Sequence, residues 1–189
     1  MPADEPVPEP VSVDPLPALS KFCDDLADAG VKVVASLPDD WVVPMIDAVA
    51  ADPRFTHVKV AREAEAIGVC AGAFFGGSNP VAIMGMAGVL AVVHELATLN
   101  LMHGIPLLVV SSRRGQHDEE PQTVYQVVQG QVGIPVLDAL GLYHTTVRSM
   151  GELDIAALLK HSRITKRPVL AAITRDVVHE LSGGQHAGG

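Results

Sequence analysis

The sequence predicts an α/β domain: a doubly wound, mostly parallel six-stranded sheet with helices on both faces. Three observations lead there. Six short apolar runs alternate with helical stretches through the middle of the chain. The runs are nearly continuous in Val, Ile and Leu, as strands covered on both faces require. Right-handed crossovers then leave parallel pairing as the simplest way to join them.

The elements follow in order. "ALSKFCDDLADAG" is an amphipathic helix closed by Gly30, and "VKVVASL" is a buried strand. The loop "PDD" leads to the helix "WVVPMIDAVAA", and "HVKVA" is the second strand, before a helix from Glu63 to Phe75. "PVAIMGM" is a strand, followed by a helix over Val89 to Met102; "PLLVVSS" is a strand that opens into the polar loop Arg113 to Gln122. A short helical region ends near "IPVLDALG". "YHTTV", "MGELDIAALLKHSRITK" and "RPVLAAITR" complete the pattern as strand, helix and strand. Residues 1–17 carry six prolines and four acids and are expected to be a disordered arm, with 18–180 as the domain and 181–189 as a flexible tail.

Composition narrows the function. A net charge of −9 argues against nucleic acid, which needs clustered Lys and Arg. A mean hydropathy of +0.30 with 48% apolar residues exceeds what one soluble monomer needs, so part of the surface is expected to meet another chain. No charged-then-apolar leader opens the sequence, and the uncharged run Val81 to Val93 is too short to span a bilayer. Cys23 and Cys70 lie in apolar helical contexts and read as buried thiols. A cytoplasmic protein with no membrane association is expected.

In open parallel sheets the ligand lies beyond the carboxyl ends of the strands. That rule selects Pro38 to Asp40, Ala61 to Glu63, Met84 to Gly88 and Arg113 to Gln122. Glu63 opens a helix whose next turns hold Ala66, Gly68, Ala71, Gly72 and Ala73, small enough for a flat ring or a partner backbone to approach. A partly desolvated carboxylate there can hold a hydrogen bond to a ring nitrogen. The helix dipole alone also explains an acid at that position. Glu65 points elsewhere and is expected to be solvated or paired with Arg62. His94 and Glu95 read as core or interface residues, and "MGMAG" lacks the spacing of a phosphate loop. The polar loop offers Arg113 and Arg114 for two-pronged anion pairing, and His117 for proton exchange near neutrality.

The stretches "SLPDDWVVPMIDAV", "VAREAEAIGVCAGAFFGG", "VAIMGMAG" and "HDEEPQTVYQVVQGQVGIPVLDALG" together resemble the pyrimidine-binding domain of thiamine-diphosphate-dependent 2-oxo acid decarboxylases. The nearest branch is that of the sulfopyruvate and phosphonopyruvate decarboxylases, especially the α chain of two-chain forms. The likeness runs from about Ala18 to Arg175. It implies that Glu63, with Ala66, Cys70 and Gly72 at the family's spacing, binds N1′ of the cofactor's aminopyrimidine and controls its proton. Ala87 and Gly88 are implied to contact the cofactor, and Pro38, Asp39, Arg113, Arg114, His117 and Gln122 the substrate.

The sequence departs from the family at Gly85-Met86-Ala87-Gly88, where Gln-Asn-Ser-Gly is common, at Thr123, where a histidine is common, and at Asp40, where a serine is common. The family's magnesium signature, Gly-Asp-Gly with a later Asn, has no match here. The resemblance therefore implies Mg2+ held by a separate β chain in a hetero-oligomer, α2β2 or larger. The expected activity is decarboxylation of a 3-substituted, anionic pyruvate to an aldehyde and CO2. Carboligation by the same site, or a silent scaffold, are the alternatives.

Overall fold

Six parallel strands form a single sheet in the order β2-β1-β3-β4-β6-β5. The computed structural model describes residues 17–115 and 124–182. Helix α1 (Pro17–Asp28) leads into β1 (Val33–Ser36), α2 (Val43–Ala51), β2 (Thr56–Lys59), α3 (Glu63–Phe75) and β3 (Val81–Met84). Then come α4 (Met86–Ala91), the short α5 (Val93–Glu95), a π-helical turn (Leu96–Leu101) and β4 (Leu107–Ser112). Helix α6 (Val124–Ala139), β5 (Tyr143–Val147), α7 (Ile155–Thr165), β6 (Pro168–Ile173) and α8 (Arg175–Leu181) complete the chain.

The central strands β3, β4 and β6 are buried at every position, which is why they read as unbroken apolar runs. Alternate residues of each strand feed two cores. One core joins Val34, Ile83, Leu108, Val110 and Ala171 to Phe22, Leu26, Met45, Leu159 and Val177, from α1, α2, α7 and α8. The other joins Ala35, Ala82, Met84, Val109 and Ala172 to Ile67, Cys70, Leu96 and Leu137, from α3, the π turn and α6. Fully burying one such Leu, Ile or Phe contributes about 1.5–3 kcal/mol, so the two layers carry most of the stability.

Three elements differ from the sequence expectation. The helix after β3 begins at Met86 and not at Val89, because Gly85 in an extended conformation already turns the chain. It is also interrupted before Leu96, where the i→i+4 pattern widens into a π turn; buried Asn100 then donates to the Ile105 carbonyl at 3.1 Å, tying the turn to β4. The helix before β5 is longer than expected, running 16 residues despite Pro135. The last strand stops at Ile173, and Arg175 opens a further helix whose Val177 and Leu181 are buried. All of the expected arm except Pro17, which opens α1, and nearly all of the expected tail lie outside the described residues. Among those described, no helix is long and apolar enough to cross a membrane.

Topology creates two crevices at the carboxyl edge. The chain leaves β1 toward α2 on one face and β3 toward α4 on the other, so the loops diverge between these neighbours. It likewise leaves β4 toward α6 on one face and β6 toward α8 on the opposite face, opening a second gap.

Candidate functional site

The two glutamates at the start of α3 have separate tasks. Glu65 curls back over the helix start: its Oε2 accepts the backbone N–H of Ala61 at 2.9 Å and of Arg62 at 3.3 Å. This is one half of a capping box: Glu65 is exposed, and it pairs with Arg62 through the backbone N–H. Two donors that the helix cannot satisfy internally are thereby used, and Glu65 Oε2 is committed to them.

Glu63 is the first residue of α3 and is half-buried, with no hydrogen-bond or ion-pair partner among the described residues. It leans across to the exit of β3. A methyl group built on Gly88 would lie 2.6 Å from the Glu63 Cγ and 2.8 Å from its Oε1. Gly88 is buried in the first turn of α4, and only the absence of a side chain there lets the carboxyl group occupy its place. Sequence reading identified both residues; the tertiary structure brings them into contact. Ala87, beside Gly88, is exposed at the carboxyl edge.

The first crevice has a polar lip. Asp39, after β1, accepts the Trp41 N–H at 3.2 Å through Oδ1, and its backbone carbonyl receives the N–H groups of Val42 and Val43. Its Oδ2 lies 2.6 Å from where a Gly85 methyl would be. The glycine at the family's glutamine position thus has a local reason: Asp39 fills the space. Arg114, after β4, sits 3.6 Å from Asp39 and 3.4 Å from Asp40, with its guanidinium 5.1 Å from the centre of the Trp41 ring. Pro38 is exposed at the same edge.

Arg113 and Arg114 go opposite ways. Successive side chains of an extended segment point to opposite faces, and Arg113 reaches the second crevice, donating from Nη1 to Thr146 Oγ1 at 2.9 Å. Arg114 is therefore already paired with two carboxylates, whereas Arg113 has none among the described residues. His117 and Gln122 fall outside the described residues. His94 is exposed on α5 and Glu95 is half-buried, as interface residues would be.

Sequence reading missed the groups that support the site. Ser112 Oγ accepts the Met86 N–H at 3.3 Å and fixes the start of α4 to β4. Gly130 and Gly133 let α6 approach: methyl groups there would meet the Arg114 carbonyl at 2.2 Å and the Met86 sulfur at 2.8 Å. Two glycines three apart inside a helix were the available signal. Below the site, Cys70 is buried beneath α3 and donates to the Val81 carbonyl, and burial pushes its thiol up to about 12, which makes it a packing residue and no nucleophile.

A free carboxyl group at a helix start, set over a glycine beside a switch-point crevice, suits a ligand with a ring nitrogen able to take or give a proton. Gly68 and Gly72 extend that surface, since methyl groups at either would touch nothing within 4 Å. The residues present therefore fit an aminopyrimidine edge at Glu63.

Comparisons with known proteins identify the family. The family model described as thiamine pyrophosphate enzyme, N-terminal TPP binding domain, matches residues 20–134. The sulfopyruvate decarboxylase subunit alpha of Methanothermobacter thermautotrophicus is 33% identical over 127 residues, covering 67% of this chain and 76% of that one. The sulfopyruvate decarboxylase of Methanosarcina acetivorans is 27% identical over 161 residues, 83% of this chain but 40% of that one. The phosphonopyruvate decarboxylase of Streptomyces viridochromogenes is 31% identical over 113 residues, 60% of this chain and 28% of that one. The present chain therefore spans less than half the length of these two longer decarboxylases. Among solved structures, the 2-oxoglutarate:ferredoxin oxidoreductase from Magnetococcus marinus superposes with a TM-score of 0.63 at 14% identity, over 85% of this chain and 29% of that one, a likeness of fold alone.

Proposed function

Because the chain belongs to the thiamine-diphosphate-dependent decarboxylase family, in its sulfopyruvate and phosphonopyruvate decarboxylase-like part, we propose that it is the α subunit of a two-chain 2-oxo acid decarboxylase. Its substrate is a 3-substituted pyruvate with an anionic substituent, and its products are an aldehyde and carbon dioxide. The observation that carries the reading is the Glu63 carboxyl group, free of partners and seated over Gly88 at the mouth of the first crevice.

When bound, thiamine diphosphate supplies the electron sink that accepts the pair left behind by carbon dioxide. The chain's own part is proton control and shape. Glu63 holds a proton at N1′ of the aminopyrimidine and takes it back as the cycle proceeds. Glu65 cannot substitute, since its carboxylate is bound to two backbone N–H groups. Gly88 leaves the space in which the Glu63 carboxyl group sits, Ala87 keeps the exposed edge beside it small, and Asp39, fixed by the Trp41 N–H and by Arg114, walls the crevice on the β1 side.

Magnesium and the diphosphate belong to the partner in this reading. Relatives named as alpha subunits, such as that of Methanococcus maripaludis, support a second chain. So does the apolar outer surface: Phe75 and Met102 are 74% and 72% exposed, Val128 and Val132 on α6 are exposed, and the Gly68–Gly72 face of α3 is open. Those helices form one layer, the one that packs beside Glu63. Assembly as α2β2 or larger buries it. The two free, buried thiols suit a reducing cytoplasm.

Reconstitution tests the reading. The full chain, its β partner, thiamine diphosphate and magnesium are combined, and carbon dioxide is measured from sulfopyruvate, phosphonopyruvate and pyruvate. Glu63→Gln should assemble normally and lose roughly 10²-fold or more in turnover. Near-normal turnover in an assembled complex removes Glu63 from the mechanism. Hydroxyketone in place of free aldehyde identifies a carboligase, and full activity of the β chain alone identifies a scaffold.

A further inference from the structure

The second crevice, between the ends of β4 and β6, contains a half-buried arginine with no carboxylate partner among the described residues. Among the described residues Arg113 makes one side-chain hydrogen bond, to Thr146 Oγ1, and its buried Nε finds no acceptor. Two buried hydroxyls nearby also lack partners among the described residues: Thr174 Oγ1, in a residue 6% exposed, and Ser111 Oγ, in a residue fully buried.

Register places these groups side by side. Ser111 pairs with Ala172 and Thr146 pairs with Ala172 from the other side, so the three form one row on the α6 face. One step toward the carboxyl edge, Arg113 donates its N–H to the Ile173 carbonyl at 2.8 Å, and Thr174 donates its N–H to the Val147 carbonyl at 2.9 Å. Alternation puts Thr174 on the same face as Ala172. The small methyl of Ala172 leaves room between the hydroxyls.

Polar groups and charges removed from water are normally paired. A guanidinium that lacks a counter-charge beside orphaned hydroxyls is the arrangement of an anion site. Arg114, whose Nε is likewise buried without an acceptor among the described residues, differs in having the counter-charges of Asp39 and Asp40 beside its guanidinium. We propose that Arg113, with Thr146 and Thr174, is the subsite for the oxyanion substituent of the substrate, a sulfonate or phosphonate group. The identity of the molecule carrying that group rests on the decarboxylase reading. Strand β4 lies next to β3, whose exit carries Gly88 under Glu63. The subsite thus runs from one strand spacing away, where Arg113 leaves β4, to three at Thr146 on β5, about 5–15 Å, a span for the cofactor ring and a three-carbon oxo acid beside it together.

The first arm needs no partner chain. Inorganic sulfate is titrated into the full-length chain at constant ionic strength, with chloride as the balancing ion, and followed by thermal shift and by NMR of the threonine methyl groups. Saturable stabilisation is expected. Arg113→Gln should weaken it about tenfold or more, Thr174→Val about fivefold, and Arg114→Gln less than about twofold. If Arg113→Gln does not fold, Arg113→Lys, which keeps the charge but loses the fork, is read instead with Thr174→Val. Absence of saturation, or wild-type affinity in the Arg113 variant, overturns the proposal.

The second arm uses the reconstituted enzyme. Arg113→Gln should raise KM for sulfopyruvate about tenfold or more and raise KM for pyruvate by a much smaller factor. An equal loss with both substrates refutes a role in recognising the substituent. Should the wild-type complex decarboxylate no oxo acid, the functional reading fails, while sulfate saturation that depends on Arg113 still establishes the anion site.

Discussion

Replacing Gly88 by alanine sets helix propensity against the position of Glu63. In an ordinary helix, alanine in place of glycine stabilises by roughly 0.5–1 kcal/mol. Here the new methyl lies 2.6 Å from Glu63 Cγ, 2.8 Å from Oε1 and 3.1 Å from Cδ, and these are its three nearest neighbours. Ordinary carbon contacts are about 3.5–4.0 Å, so Glu63 must move by about 1 Å. The propensity gain should therefore vanish in the wild-type background. In a Glu63→Ala background the obstructing atoms are gone, and Gly88→Ala should stabilise by the full 0.5–1 kcal/mol, roughly. Urea unfolding of the full chain and the two single and one double variants measures this coupling, which should be about 1 kcal/mol. The functional counterpart follows from the same displacement: a catalytic group misplaced by about 1 Å costs on the order of 10²-fold in rate, so Gly88→Ala should approach Glu63→Gln in the reconstituted complex. Equal stability changes in both backgrounds, within about 0.3 kcal/mol, would show that Glu63 does not rest on Gly88, and the site as described would be wrong.

Three further outcomes are expected. Glu65→Ala removes the acceptor for two backbone N–H groups at the start of α3 and should destabilise the chain by about 1 kcal/mol, read as a lower urea midpoint; an unchanged midpoint refutes the cap. His57 lies half-buried with its Nε2 2.7 Å from Ser36 Oγ, and burial, with Lys59 adding to it, holds its pKa below the ordinary value. The unfolded chain then binds that proton more readily, so the contribution is full above about pH 6.5 and is lost as pH falls below it. The unfolding midpoint should drop between about pH 7 and 5, less so in His57→Gln, and parallel curves for the two proteins would exclude the residue. Burial pushes the Cys70 thiol up to about 12 and the Cys23 thiol up to about 11, with Asp52 adding to the latter. Both should resist an aromatic disulfide reagent in the native chain and react on unfolding; prompt native labelling of either would contradict its burial.

Much of this molecule was legible without coordinates. The parallel sheet followed from apolar runs such as "PLLVVSS", and the start of α3 at Glu63 was legible because a polar, extended approach changes there into a run of helix-forming small residues. Helix α8 was missed since "RDVVHEL" is too short to show a period, and its two buried residues become meaningful only once β6 delivers them to the α1 face. The break at Leu96 was invisible for a related reason: the apolar pattern continues through it, and the cause lies in how Asn100 must meet β4.

The pair of arginines divides the two kinds of information most clearly. Adjacent, identical and in one polar loop, Arg113 and Arg114 are indistinguishable in sequence. The strand's alternation sends one to Asp39 and Asp40 across the first crevice and the other to Thr146 across the second. Residue type and local period depend on short-range propensity and burial, so the chain alone determined its helices, its strands and the glutamate at the head of α3. Which carboxyl group caps a helix and which stays free, and which guanidinium is neutralised, depend on contacts between segments some 20 to 75 residues apart, such as Glu63 with Gly88 and Arg114 with Asp40. Only the closed sheet, with its two diverging pairs of loops, decides those.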